Sequence, residues 1–210
     1  MSVRQSPFVN GEYYHLYNRG NSKNIIFHDD QDYNYFLNLL FLMNSKDRRK
    51  TVFTKNYINN DECLVSIGAY CLMPNHFHIL IKQQMEKGIS IFVQKISTAY
   101  VMYYNKKYER TGGLFEGKFK SKYVWEDNYL RHLFSYIHLN PLKLKDENWK
   151  SKLKTETREN LSFILKYPYS SCVEYLTDNQ KIINKGTFPE YFSTKSDFIK
   201  SLINSFSSEY

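Results

Sequence analysis

The segment YCLMPNHFHIL, residues 70–80, puts His76 and His78 on alternate positions behind a proline, in a chain with only six histidines. On a strand, residues two apart point to the same side, so the two imidazoles stand side by side while Phe77 faces the other way. Such a pair is half of a divalent-metal site. It is equally the pattern of two histidines on a solvated sheet face, so a third ligand and a reacting group must come from elsewhere. Residues 127–140 offer both. Tyr136 and Asn140 are four apart and share one helix face with Tyr129 and His132. A tyrosine beside a bound metal can act as an oxygen nucleophile, and the amide oxygen of Asn140 can complete the metal's ligand set. Each also has a plainer reading: Tyr136 as a core-edge aromatic, Asn140 as the end of a helix before Pro141.

Elements must be found to carry these residues. EYYHLYN at 12–18 reads as a strand closed by Arg19-Gly20-Asn21. From Asp29 or Asp30, the spacing of Tyr33, Phe36, Leu37, Leu40 and Phe41 predicts a helix. The basic KDRRK at 46–50 reads as a loop or exposed helix end. Two apolar stretches, 64–72 and 77–81, flank Met73-Pro74-Asn75, and because proline cannot donate inside a central strand they are read as a hairpin. Ile89, Phe92, Val93, Ile96, Ala99, Tyr100 and Tyr103 predict a helix over 88–108 with Ser90 as N-cap, ended by Gly112-Gly113. LFEGKFKSKYVW follows as one or two strands bent at Gly117. A last helix starts at Asp127, with Leu130, Leu133, Phe134 and Ile137 on its apolar face. Pro141 is expected to stop it by pushing Asn140 out of helical geometry.

The order strand, helix, strand, strand, helix, strand, helix predicts an α+β fold, ferredoxin-like, with an antiparallel sheet and helices on one face. Residues 1–146 form the domain with the chemistry. Residues 147–210, including YPYSSCVEYL and DFIKSLINSF, form a C-terminal helical extension whose function the sequence leaves open.

At 210 residues the chain can bury a real core, and its formal charge of +8 favours an anionic partner such as nucleic acid. The charge is concentrated. Residues 95–124 hold seven basic residues against Glu109 and Glu116, interleaved with tyrosines and phenylalanines, a mixture suited to a phosphate backbone and unpaired bases. A solvated helix face over aromatic core residues would give the same pattern. Lys106, Lys107, Arg110, Lys118, Lys120 and Lys122 are the candidates for gripping DNA. Cys63, Cys71 and Cys172 have no zinc-type spacing and read as reduced thiols. With no apolar signal core at the N-terminus and no membrane-length apolar window, a cytoplasmic location is expected.

Taken together, YCLMPNHFHIL resembles the His-hydrophobe-His signature of the HUH single-tyrosine transposases, which cut single-stranded DNA. GGLFEGKFKS, YIHLNP, YYHLYNRG and YPYSS are similar to segments of the repetitive-extragenic-palindrome (REP)-associated branch of that family, in the same order over residues 12–171. The resemblance implies a ferredoxin-like fold, a Mg2+ or Mn2+ cofactor at His76 and His78, and Tyr136 as a nucleophile that becomes a 5′-phosphotyrosine. It places Asn140 where relatives carry a glutamine ligand; His132, on the same helix side, is the substitute ligand should Asn140 not reach. The implied partner is single-stranded DNA bearing hairpins, with no membrane; whether the chain is a monomer or a homodimer is left open. A replication-initiation nuclease with the same chemistry, and a domesticated DNA- or RNA-hairpin binder that no longer cuts, are the alternatives. His15, His28 and His138 receive no role beyond packing or surface.

Overall fold

In the computed structural model, which describes residues 7–46, 63–146, 148–153, 155, 157–177 and 180–207, the chain runs β1 (Tyr13–Arg19), α1 (Asp30–Leu42), β2 (Val65–Met73), β3 (His76–Gln83), α2 (Gly88–Lys107), β4 (Lys120–Val124) and α3 (Asp127–Leu139). The C-terminal part adds α4 (Leu142–Lys145), α5 (Thr157–Lys166), α6 (Cys172–Leu176) and α7 (Lys195–Ser207). The strands form one antiparallel sheet in the order β2-β3-β1-β4. This is the expected ferredoxin-like βαββαβ arrangement. Among the described residues, no helix is long and apolar enough to cross a membrane. Residues 47–50 of the basic KDRRK run lie outside the described residues.

Strand alternation divides the sheet into two working faces. Phe77 points into the core, where it meets Phe36 of α1, which in turn packs on Tyr100 of α2. The two crossover helices therefore share one face. α3 covers the other, with Tyr136 against His78 and His15. The β2–β3 connection is the tight hairpin anticipated from Pro74, with Met73 paired to His76. That turn is anchored: the Pro74 carbonyl accepts from Ile26 and Phe27 N–H, and the Asn75 carbonyl from Gly20 N–H.

Two local expectations, on Ser90 and on Pro141, are corrected, and the choice between one strand and two before Asp127 is resolved. Ser90 does not cap α2; the helix starts at Gly88, and the otherwise orphaned Ile89 N–H donates to Gln83 Oε1 at 3.2 Å. LFEGKFKSKYVW yields a single strand, with Gly117 at φ +124° before it and an isolated bridge from Phe115 to Gly20. Pro141 does not push Asn140 out of helical geometry. Asn140 stays at φ −53°, ψ −37°, and Pro141 continues at φ −56°, ψ −26° into α4. The preference against helix before proline is weaker here than burial of Leu139, Asn140 and Leu142, each at most 1% exposed.

β2 is an edge strand of the sheet, yet all nine of its residues are buried. The C-terminal extension explains this. Leu72 N–H donates to the Tyr169 carbonyl, Ser171 N–H to the Tyr70 carbonyl and Asn184 N–H to the Ile67 carbonyl, at 2.9–3.0 Å. The extension thus takes over hydrogen-bonding groups that would otherwise template association with another chain. At the bulge around Gly68, a Cβ would stand 2.7 Å from the Phe188 ring, so glycine makes room for an aromatic from the extension. Buried Trp149, Ile164, Tyr175, Phe198 and Phe206 join the same hydrophobic core as the sheet.

Candidate active site

Register across the sheet builds the site. Arg19 stands opposite His76; Tyr17 stands between His78 and Lys120; His15 is paired with Lys122. All point to the face covered by α3, whose Tyr129, His132 and Tyr136 recur at three- and four-residue spacing along one side. A cleft of about 830 Å³ opens between them, lined also by Asn75, Glu116 and Lys143.

The two histidines of the motif are held in a defined state. Asn75 Nδ2 donates to the Lys23 carbonyl, which orients its Oδ1 to accept from His76 Nδ1 at 2.6 Å. His78 Nδ1 lies 2.9 Å from His15 Nε2. Burial first, and then the charges of Lys143 and Arg19, lower His76 to about 4. Burial, with His15, His76, Lys143 and Arg19 adding, holds His78 well below its ordinary value. Both imidazoles are therefore neutral at physiological pH, with Nδ1 engaged and Nε2 as the nitrogen each would offer a cation. That is the state in which a histidine ligates a metal, its other nitrogen fixed by a neighbour. Among the described residues, no three His, Cys, Asp or Glu side chains gather into a complete metal set. The two neutral imidazoles, side by side on β3, fit half of a divalent-metal site.

Tyr136 reaches the same cleft. Its ring centre is 5.7 Å from that of His78 and 6.0 Å from that of His15. Burial, assisted by Tyr129 and Tyr17, raises its phenol above 10, so an isolated phenolate is disfavoured there. His132 lines the cleft as well. Asn140 does not. It is 1% exposed; Nδ2 donates to the carbonyls of Tyr136 and Ile137, and Oδ1 accepts from Lys143 Nζ at 2.7 Å. Its amide closes the last turn of α3 instead of facing the histidines.

The basic candidates separate. Lys120 and Lys122 line the cleft, Lys122 with Nζ 4.4 Å from the centre of the Tyr129 ring. Lys106, Lys107 and Arg110 sit at or beyond the end of α2, against the other face. Lys107 is bound to Asp29 and the buried Asp32 at 2.7–2.8 Å. Arg110 lies over Tyr104 and donates to the Gly113 carbonyl. Lys118 is exposed in the segment before β4 and does not line the cleft.

Sequence reading passed over His15, Tyr17, Arg19, Asn75 and Lys143. The first three were within reach, since HLYNR alternates as HFH does and neighbouring strands share a face. Lys143 was hidden by the expectation that Pro141 turns the chain away; continued helix places it two turns from Tyr136 on the same side.

Residues 12–140 match the model of a transposase family described as IS200-like. A solved structure of a REP-associated tyrosine transposase bound to a REP hairpin superposes with a TM-score of 0.58 over 90% of this chain and 89% of the other, at 14% identity. No curated protein matches the chain.

Proposed function

We propose, from the premise that this chain belongs to the IS200-like transposase family, that it binds hairpin-bearing single-stranded DNA and cleaves and rejoins it through Tyr136 with a divalent metal. One observation carries the reading: His76 and His78, 60 and 58 residues before Tyr136 in sequence, line a single cleft with it and with Lys120 and Lys122. The solved relative bound to a REP hairpin, similar in fold, supports a hairpin substrate here.

A phosphodiester resists attack because its oxygens are anionic. A divalent metal, when bound at His76 and His78, supplies charge neutralisation at a nonbridging oxygen. Lys120 and Lys122 hold the backbone along β4 by charge. Tyr136 Oη forms the bond to phosphorus as the bond to the 3′ oxygen breaks. The phenolic proton passes to water, the leaving oxygen takes a proton from water, and the products are a 5′-phosphotyrosine and a 3′-hydroxyl. Attack by a 3′-hydroxyl on that ester reverses the step and rejoins strands, so no nucleotide energy source is needed. A cytoplasmic location, where chromosomal DNA is reached, fits that reaction.

The test is a denaturing gel of the protein incubated with labelled single-stranded hairpin oligonucleotides from the flanks of its own gene, with Mn2+ or Mg2+. A metal-dependent covalent adduct, absent in Tyr136→Phe, is expected. Hairpin binding with no adduct under either metal would favour a binder that no longer cuts.

A further inference from the structure

The cleft holds a cation that the motif chemistry does not use. Lys143, the second residue of α4, lines the cleft with its Nζ 5.7 Å from the centre of the Tyr136 ring and 2.7 Å from Asn140 Oδ1. Asn140 is itself fixed by two donations to α3 carbonyls, including that of Tyr136. The ammonium is thus tethered, through one rigid amide, to the very turn that carries the tyrosine. Helical geometry kept through Asn140 and Pro141 makes the tether short.

We propose that Lys143 is a catalytic residue of the strand-cleavage reaction, its ammonium binding a nonbridging oxygen of the phosphate that Tyr136 attacks, and that Asn140 is a positioning residue acting through it. This rests on the cleavage reading above. Lysine binds phosphate as a point charge with three donors, and a fixed cation beside the reacting phosphorus neutralises charge without reorganisation at the moment of reaction. It also explains why Asn140 turns its oxygen away from the histidines: the oxygen orients the lysine. Lys120 and Lys122 belong to β4, and Lys122 meets α3 at the Tyr129 ring rather than at the turn that carries Tyr136, which suits them to holding the flanking backbone.

The experiment measures single-turnover adduct formation and hairpin affinity side by side for wild type, Lys143→Ala, Lys143→Arg, Asn140→Ala and the Lys143→Ala/Asn140→Ala double variant. Thermal melts establish that each is folded. Lys143→Ala should slow adduct formation at saturating DNA by about 100-fold while hairpin affinity changes by less than about 3-fold. Ethylammonium should restore part of that rate, and Lys143→Arg should retain more of it than alanine. If Asn140 acts through Lys143, its loss slows the wild type but adds little to Lys143→Ala. Full independence of the two effects would return Asn140 to a role of its own and overturn the positioning claim. Adduct formation in Lys143→Ala within about 2-fold of wild type, or rate and affinity lost in proportion, would overturn the catalytic claim while cleavage itself stands. A wild type that forms no adduct overturns the cleavage reading and this proposal together.

Discussion

His15 Nε2 and His78 Nδ1 lie 2.9 Å apart, bringing a residue of β1 into contact with one of the two motif histidines on β3. Both are buried, and burial first holds each below its ordinary value, to about 4 for His15 and well down for His78. One ring must donate and the other accept. For His78 to offer Nε2 to a cation, its Nδ1 carries the proton and His15 Nε2 accepts it. His15→Phe should then weaken Mn2+ binding about 10- to 100-fold, read by calorimetric titration without DNA. His15→Gln, which keeps an acceptor, should lose less. Equal losses in both variants would mean that His15 only fills space.

A second histidine sets acid stability. His138 is fully buried; Nδ1 donates to the Phe134 carbonyl and Nε2 accepts from Ser171 Oγ, both at 2.7 Å, tying α3 to the extension. Burial lowers it to about 4, against the opposing pull of the Phe134 bond. The unfolded imidazole takes up its proton near pH 6.5, whereas the folded one does so only near 4. Stability contributed by this depressed group is full above 6.5 and falls as pH drops toward 4, by about 2 kcal/mol at pH 5. Urea unfolding at pH 7 and pH 5 should show more than that loss in wild type, because His15, His76 and His78 are depressed as well, and a flatter dependence in His138→Gln. An unchanged dependence would assign the acid sensitivity elsewhere.

Lys107 and Lys120 should part company under mutation. Lys107 neutralises Asp32, whose carboxylate is also bound by Tyr103 and Tyr108 hydroxyls and the His28 N–H. Burial alone would raise Asp32, but Lys107 and these hydrogen bonds hold it below its ordinary value. Lys107→Ala should therefore cost about 3 kcal/mol of stability and leave hairpin affinity nearly unchanged. Lys120→Ala and Lys122→Ala should each weaken binding and reduce the slope of log affinity against log salt by about 1, with little change in stability. Fluorescence anisotropy across a salt series reads the affinities. A salt slope altered by Lys107→Ala would place the DNA on the α2 side.

Removing residues 167–210 should expose the β2 edge. The Tyr169, Ser171 and Asn184 backbone groups that pair with it would be lost, together with the core contribution of Tyr175, Phe188 and Phe198. Light scattering of the truncated chain should show association beyond that of the full chain, because an open apolar edge pairs with another copy. A monodisperse truncated chain would show that β2 protects itself.

The helical faces and the strand alternation were legible because they are local. Leu130, Leu133, Phe134 and Ile137 repeat at helical spacing and all four are buried, and a proline between two apolar runs leaves few choices but a hairpin. Leu39 is buried on α1 although the sequence reading selected Leu37 and Phe41, which are only half-buried, since the face that packs is chosen by the neighbouring helix and sheet. The lysine candidates divided for the same kind of reason: charge runs along the chain, but the sheet sends its two faces to different partners.

By itself, the sequence determined which residues share a side within one element, two imidazoles on a strand and a tyrosine on a helix, and the ferredoxin-like order in which the elements follow one another. Only the tertiary structure decided which neighbours complete the site. His15 meets His78 through strand register, Asn140 turns to Lys143 because burial keeps a pre-proline residue helical, and the β2 edge is closed from more than 90 residues away. Those outcomes depend on packing energies summed over residues distant in the chain, which no local pattern contains.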